Sequence, residues 1–246
     1  MYVLYIKEIR SFLSSLIGYV SIAVFISMIG IFMWIIPAEG GGYNLLDNGF
    51  ANIDPLFFIA PWVYLFLIPA ITMRTFSEEK KNGTIELLLT RPLTDLQIVL
   101  AKYFAGFTLV VVSLFPTLIY YYSIYHLGAP KGNIDTGGMW GSYIGLLLLG
   151  AGFVSIGIFA SAISENQVIA FIMALILCFF CYMGFDFIAQ SNVLGKLSPL
   201  IKSLGINDHY ISLSRGVLDT RDAMYFTSMV AMFILFTKLV LESRKW

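Results

Sequence analysis

Residues 139–163 read MWGSYIGLLLLGAGFVSIGIFASAI, a long run without one charged side chain. A bilayer core about 30 Å thick needs roughly 20 apolar helical residues to cross it. Backbone groups in lipid must be hydrogen-bonded within the segment, which excludes a strand of an open sheet. The run is therefore predicted to be a membrane-spanning helix.

Further runs of this kind lie on both sides, separated by short polar segments. The predicted spans are residues 13–36, 56–73, 103–126, 139–163, 167–188 and 223–241. The chain is 12% charged, about half of the roughly 25% found in soluble domains. The sequence thus predicts an all-α integral membrane protein with six transmembrane helices in a single domain, residues 1–246. The first run exceeds the apolar core of about 7–15 residues in a signal peptide, so we expect it to remain in the protein.

The distribution of lysine and arginine predicts the orientation. With the N-terminus inside, ten of these residues fall in inner segments, namely Lys7, Arg10, Arg74, Lys80, Lys81, Arg91, Lys102, Lys238, Arg244 and Lys245. Five fall in outer segments, namely Lys131, Lys196, Lys202, Arg215 and Arg221. By the positive-inside rule both termini are cytoplasmic. The formal net charge is zero, which argues against a nucleic-acid partner.

Two segments outside the spans are amphipathic. Ile6, Ile9 and Leu13 share one helical face, which predicts a short helix on the inner membrane surface. Between the fifth and sixth spans, apolar residues at helical spacing predict a re-entrant or interfacial outer helix; they are Leu197, Leu200, Ile201 and Leu204. Residues 207–210 are predicted to form the polar turn after it.

Side chains that could carry chemistry are sparse. Cys178 and Cys181 form a C-x-x-C within an apolar run, which favours packing over redox or metal chemistry. His126 and His209 are far apart in sequence and do not suggest a metal site. Asp186 near the outer end of the fifth run fits either an interfacial aspartate or a functional one. No nucleophile with a plausible base supports an intramembrane hydrolase, so we expect no catalysis and no cofactor in this chain.

The fourth run also contains pairs of small residues at four-residue spacing. Gly141 and Gly145 form one pair, and Gly157 and Ser161 form another. Such spacing lets two helices approach closely. Tight packing within one bundle is favoured over a dimer interface, and both interpretations remain open.

The second inner loop, residues 75–102, reads TFSEEKKNGTIELLLTRPLTDLQIVLAK. Gly83 and Thr84 predict a turn and a helix start, with Glu86 in the first turn, where the helix dipole favours it. Pro92 ends this helix, because residues before proline avoid helical geometry. A short helix of this kind, charged and partly apolar, is suited to docking in a groove of a soluble partner. After it, a serine-or-threonine capping box is predicted at residues 94–97.

The pattern Glu79-x-x-x-Gly83-Thr84-x-Glu86-Leu87-Leu88, followed by Pro92 and Lys102, resembles the hallmark of ABC-2 (type V) transporter permeases. In that family the loop is a coupling helix that inserts into an ATPase subunit. The resemblance therefore implies ATPase-coupling roles for Glu79, Gly83, Thr84, Glu86, Leu87, Leu88 and Pro92.

Other parts of the chain extend the resemblance. Three further stretches resemble the same family, namely residues 213–222, the pair Tyr225-Phe226 and residues 241–246. The resemblance implies outer-loop roles for Gly216, Asp219 and Asp222. Within it, residues 52–56, 60–62 and 69–76 resemble the gliding-motility-associated permease of Bacteroidetes, the F subunit.

These resemblances imply a membrane permease subunit of an ABC exporter in the bacterial cytoplasmic membrane. The chain has no G-x-x-x-x-G-K-[ST] motif, so ATP and Mg would be bound by a separate cytosolic ABC ATPase. Further expected partners are membrane lipid and a second permease copy or a paralogous membrane subunit. The alternative is a non-transport component that uses ATP to anchor or regulate a cell-surface gliding or secretion machinery. Few polar residues in the spans favour a lipid-linked or amphiphilic cargo.

Overall fold

The computed structural model describes residues 1–37, 43–49, 51–86, 93–190 and 197–243. Within these ranges all regular secondary structure is helical. The helices are α1 Tyr2–Leu13, α2 Leu16–Trp34, α3 Leu45–Asn48, α4 Asp54–Thr72, α5 Ser77–Lys81, α6 Asp95–Leu114, α7 Leu118–Leu127, α8 Thr136–Ile163, α9 Gln167–Phe179, α10 Phe185–Gln190, α11 Ser198–Lys202, α12 Ile206–Leu213 and α13 Thr220–Glu242. A 3₁₀ turn joins α6 to α7, and a π turn, Phe180–Gly184, joins α9 to α10.

Within the described part, five helical segments are long and apolar enough to cross a membrane. They are Asp54–Lys81, Asp95–Leu127, Thr136–Ile163, Gln167–Gln190 and Thr220–Glu242. A sixth is added if α1 and α2, which are bent by 66° relative to each other, count as one broken span. Ser15 begins α2 by accepting a hydrogen bond from the backbone N–H of Gly18. The predicted short helix before the first apolar run is therefore present as α1.

Local sequence signals explain the ends of the third predicted span. Its helix begins at Asp95, well before the predicted start at residue 103, because Thr94 caps it. The Thr94 hydroxyl accepts from Gln97 N at 3.3 Å, and the Gln97 side chain accepts from Thr94 N at 3.2 Å. The predicted capping box is thus confirmed. Pro116, which has no backbone N–H, lies in the 3₁₀ turn at the other end of α6.

Helix α8 is the centre of the bundle and packs against α4, α6, α9 and α13. Its small residues make this close packing possible. A Cβ atom on Gly157 would lie 2.1 Å from Thr72 Oγ1, and one on Gly152 would lie 2.2 Å from Met229 Cε. In the described residues the small-residue stripe therefore packs against other helices of the same chain.

The segment before the last span differs from the prediction. Residues 207–210 were expected to form a polar turn, but they belong to helix α12. The turn lies at residues 203–205, directly after α11. The helix persists because Ile206, Tyr210 and Leu213 form one buried face, while its polar side chains bond to neighbouring helices.

The spans alternate in direction, so the bundle has two ends. At the N-terminal end, Arg74 Nη2 donates to Ser15 Oγ at 2.6 Å, which joins the ends of α4 and α2. At the distal end, Ser142 Oγ near the start of α8 donates to Ser214 O at 2.9 Å, which joins α8 to the segment after α12. The predicted coupling loop and the predicted outer-loop residues thus lie at opposite ends of the molecule.

Candidate functional site

The N-terminal end is built around Lys102 of α6, whose side chain has no exposed surface. Its Nζ atom lies 3.1 Å from Glu8 Oε1 on α1 and 3.0 Å from Glu79 Oε2 on α5. It also donates to the carbonyl oxygen of Thr75 at 2.7 Å and lies 5.0 Å from the centre of the Phe76 ring. A buried ammonium is tolerated only with partners of this kind. Lys102 thereby joins α1, α5 and α6.

Lys7 completes a cluster of four charges. Its Nζ atom lies 3.4 Å from Glu79 Oε1 and 3.5 Å from Glu8 Oε1. We call Lys7, Glu8, Glu79 and Lys102 the charge ring. Lys7 is 60% exposed, whereas the two carboxylate side chains are 15–18% exposed. Water screens the Lys7 pairs, so most of the stabilising interaction comes from Lys102.

Ser161 at the end of α8 fixes the break between α4 and α5. Its hydroxyl accepts from the backbone N–H groups of Phe76 at 3.0 Å and Ser77 at 3.2 Å, and donates to Met73 O at 2.9 Å. These are backbone groups that a helix break leaves without helical partners. The base of the second loop is therefore attached to α8 as well as to α1 and α6.

Gly83 ends α5 in a conformation that favours glycine. Its φ angle is +69°, and Thr84 N donates to Glu79 O at 2.9 Å while Gly83 N donates to Lys80 O at 3.1 Å. These two bonds define a Schellman motif. No atom lies within 4 Å of a Cβ built on Gly83, so its requirement for glycine is conformational and not steric. Lys80 Nζ additionally donates to the carbonyl oxygen of Ala162.

The predicted coupling residues fall into three groups. Glu79 is largely buried in the charge ring, whereas Gly83, Thr84 and Glu86 are exposed at the surface. Leu87, Leu88 and Pro92 lie outside the described residues. A polar cleft of about 200 Å³ separates α1 from this turn; its lining includes Lys7, Glu8, Ser11, Arg74, Glu78, Glu79, Asn82 and Thr84.

Sequence reasoning missed the partners of Glu79 within the chain. Lys7 and Lys102 were used there only as evidence of orientation and family, and no role was assigned to Glu8. One signal was available, since a lysine next to a long apolar run needs a buried acceptor. The position of that acceptor depends on how α1 folds back over α6, which is a tertiary property.

The predicted outer-loop residues lie at the distal end. Asp219 caps α13 by accepting from Arg221 N at 2.9 Å. Gly216 has a φ angle of +80° and packs against the backbone of α8. Asp222 pairs with His209, with Oδ1 and Nδ1 2.7 Å apart. Gly216 thus holds the segment after α12 against α8, and Asp222 joins α13 to α12.

The remaining candidate side chains also have defined surroundings. Cys178 is buried with its sulfur 4.0 Å from the carbonyl oxygen of Phe153, and Cys181 is partly buried. These positions agree with packing roles. Asp186 is 7% exposed and accepts a hydrogen bond from Asn207, so it is a buried residue and not a solvated interfacial one.

The sequence profile of the ABC-2 family transporter proteins matches residues 2–241. The chain belongs to the ABC-2 transporter family. No curated protein matches it at a significant level. ABC-2 permeases are the membrane transport components of ABC transporters and work with a cytosolic ABC ATPase. This permease is therefore a multi-pass membrane protein, and the charge ring lies at the base of the loop that resembles the family's coupling helix.

Proposed function

We propose that this permease is the membrane subunit of an ABC exporter in the bacterial cytoplasmic membrane. In this proposal the loop that follows Gly83 docks on the ATPase, and a second permease copy or a paralogous subunit completes the complex. The observation that carries the proposal is the attachment of the loop base to three other helices. Lys102 connects it to α1 and α6, and Ser161 connects it to α8.

The attachment suggests how movement would be transmitted. ATP binding closes a pair of ATPases, which displaces the loop. A flexible connector would absorb that displacement locally. A loop base fixed by a buried ion pair and three hydrogen bonds instead passes it to α8, and α8 packs against the last span. ATP binding would in this way re-pack the membrane helices.

This mechanism requires the N-terminal end to face the cytoplasm, as the lysine and arginine distribution indicates. The test is Asn82→Cys in a background with Cys178→Ala and Cys181→Ala. Because Asn82 is exposed at the loop, a membrane-impermeant maleimide should label it in inverted vesicles and not in intact cells. Labelling in intact cells would show that the loop faces the outside, and the proposed coupling role would then fail.

The structure changes the role that we assign to Glu79. Its carboxylate is occupied by Lys102 and Lys7, so Glu79→Lys would place three cations together and damage the fold itself. We therefore propose that Glu79 fixes the base of the loop to α1 and α6. Direct contact with the ATPase is assigned to exposed side chains such as Glu86 and Lys81.

The coupling role is tested with Glu86→Lys and Gly83→Val. Reversing the charge of Glu86 costs several kcal/mol if it faces a cation of the ATPase, and valine disfavours the φ angle of +69° at residue 83. Both variants should accumulate in membranes as wild type does. Each should lose about tenfold or more of the ATPase that co-purifies from native membranes, together with the ATP turnover of the complex.

Two controls make this experiment specific. Lys131→Glu changes a charge on the distal side and should leave ATPase association intact. Gly49→Val tests a glycine with a similar φ angle of +68° in the segment between α3 and α4. If Glu86→Lys and Gly83→Val retain the ATPase as well as these controls do, the loop is a simple connector and the docking proposal fails.

An amphiphilic or lipid-linked cargo fits an apolar groove of about 590 Å³ between α2, α4 and α9. Its lining includes Val24, Met28, Phe32, Phe58, Trp62, Phe66 and Phe171. Such a wall suits hydrocarbon chains better than a hydrophilic solute. Identification of the lipids that co-purify with the complex tests this assignment; a profile identical to that of bulk membrane would contradict it.

A link to gliding motility rests on the resemblance of residues 52–56, 60–62 and 69–76. Identifying the molecules that co-purify with the complex from native membranes distinguishes export from an anchoring or regulatory role. Lipid or lipoprotein cargo supports export. Stoichiometric recovery of cell-surface machinery without cargo would instead support the anchoring or regulatory role.

A further inference from the structure

Three charged residues line one cavity at the distal ends of α4 and α8. The cavity has a volume of about 290 Å³. Asp54 at the start of α4 and Asp135 directly before α8 line it together with Arg215, which belongs to the segment after α12. Ile53 and Met139, which are 2% and 3% exposed, form part of its apolar lining. Two carboxylates and one guanidinium thus share this space, which we call the distal cavity.

The three charges of the distal cavity do not neutralise one another. Asp135 Oδ1 accepts from Gly138 N at 2.9 Å, and Asp54 Oδ2 accepts from Asn52 Nδ2 at 2.7 Å. Within the described part of the chain, the second oxygen of each carboxylate makes no hydrogen bond, and the exposed Arg215 forms no ion pair. Opposite charges that line one cavity without pairing are complementary to a ligand that carries both signs.

The distal cavity lies at the depth of lipid headgroups. Asp54 is the first residue of one membrane-spanning segment, and Asp135 directly precedes another, Thr136–Ile163. Trp140, one turn into that second helix, is 57% exposed. Exposed tryptophans of membrane proteins concentrate at the boundary between headgroups and hydrocarbon. The charges of the cavity are therefore placed just outside the hydrocarbon core.

A second cavity adjoins the distal cavity, and the two share Ala51 and Asn52. It has a volume of about 600 Å³ and lies between α3 and the distal ends of α2 and α7. None of the described residues that line it is charged. Its large apolar side chains are those of Trp34, Leu45, Leu46, Ile124 and Leu127. A charged cavity beside an uncharged and largely apolar one matches an amphiphile with a charged head.

The lining of the distal cavity favours one headgroup chemistry. Two carboxylates against one guanidinium repel a headgroup with a net negative charge. A phosphate pairs with a guanidinium through two parallel hydrogen bonds, and a primary ammonium donates hydrogen bonds to carboxylates. A trimethylammonium group cannot donate, and proteins bind it in aromatic cages. No aromatic side chain is among the described residues of the distal cavity, so its chemistry matches phosphoethanolamine.

We propose that the distal cavity binds the phosphoethanolamine headgroup of a lipid in the leaflet at that end of the bundle. The phosphate pairs with Arg215, and the ammonium pairs with Asp54 and Asp135. The adjoining cavity takes the uncharged part of the same lipid. This site goes beyond the proposed export function, because binding a lipid here requires neither an ATPase nor transport.

The test measures lipid binding to the purified, detergent-solubilised permease by native mass spectrometry. Phosphatidylethanolamine, phosphatidylcholine and phosphatidylglycerol with identical acyl chains are titrated separately, and the apparent Kd of the first bound lipid is compared. Only the first of these lipids satisfies both signs of charge with hydrogen bonds. We therefore expect it to bind about tenfold more tightly than either of the others.

Two variants assign the two parts of the headgroup to their partners. Arg215→Gln removes the partner of the phosphate, so it should weaken both phosphatidylethanolamine and phosphatidylcholine about tenfold. Asp54→Asn combined with Asp135→Asn removes the partners of the ammonium and should abolish the preference for phosphatidylethanolamine. Asparagine caps helices as aspartate does, so the double variant keeps the start of α8. The matched control is Arg221→Gln, which changes an exposed arginine outside both cavities and should leave every Kd unchanged.

Equal affinity of the wild-type protein for the three lipids would overturn the proposal. An effect of Arg221→Gln as large as that of Arg215→Gln would overturn it too, because the arginine would then act only through the general charge of this surface.

Soluble phosphoethanolamine tests whether the headgroup must belong to a lipid. It lacks the uncharged part of the ligand, so at the same concentration it should not displace the bound lipid. Equal displacement would assign the distal cavity to free phosphoethanolamine and overturn the lipid assignment. None of these measurements involves the ATPase, so the lipid site and the docking of the loop can fail independently.

Discussion

Replacing Lys102 with methionine should lower the free energy of unfolding of the permease by about 3–5 kcal/mol. Methionine has a similar volume, so the change removes the charge and leaves little cavity. Glu8 and Glu79 would then face each other in a largely buried site without the cation that lies 3.1 and 3.0 Å from them. The loss is measured by titrating the detergent-solubilised protein with a denaturing detergent and following helicity by circular dichroism.

Two further variants show whether the buried charge is the cause. Lys7→Met removes the other cation of the charge ring, but that side chain is 60% exposed, so we expect a loss below about 1 kcal/mol. Adding Glu8→Gln and Glu79→Gln to Lys102→Met removes the uncompensated carboxylates and should recover most of the lost stability. A Lys102→Met protein as stable as wild type would show that the ring is not buried in the folded protein.

The elements that the sequence predicted well are those that local chemistry determines. A span follows from the length of an apolar run, and the start of α6 follows from a capping box within four residues. The charge ring has no local signature. Glu8 and Lys102 are 94 positions apart, and they meet only because α1 is bent by 66° from α2 and packs along α6.

The distal end shows the opposite failure, in which a local rule gave a wrong answer. Polar residues at 207–210 were expected in a solvated turn, because the usual partner of an exposed polar side chain is water. Here the partners are the carboxylates of Asp186 and Asp222. Both aspartates stood in the sequence, but only the packing of α10 and α13 around α12 makes them acceptors for it.

Gly216→Ala should be the most disruptive single-methyl change at the distal end, with a loss of about 3 kcal/mol from overpacking and a left-handed backbone together. A Cβ atom on residue 216 would lie 2.3 Å from Gly138 Cα and 2.4 Å from Gly138 O. Those are backbone atoms of α8, which cannot rotate away as a side chain could. The φ angle of +80° adds strain for any L-residue. Thermal and denaturing-detergent unfolding measure the loss.

Alanine substitutions at three other glycines separate the conformational from the steric contribution to this loss of stability. Gly49→Ala has a similar φ angle of +68° and no atom within 4 Å, so it should lose only the conformational part, about 1–2 kcal/mol. Gly141→Ala lies in α8 and would meet Gly216 O at 2.4 Å, so it should show the steric part, about 1–3 kcal/mol. Gly137→Ala, whose nearest contact would be an ordinary 3.5 Å, should be neutral or stabilising by about 0.5–1 kcal/mol. If Gly216→Ala costs no more than Gly49→Ala, the loop after α12 does not rest on α8.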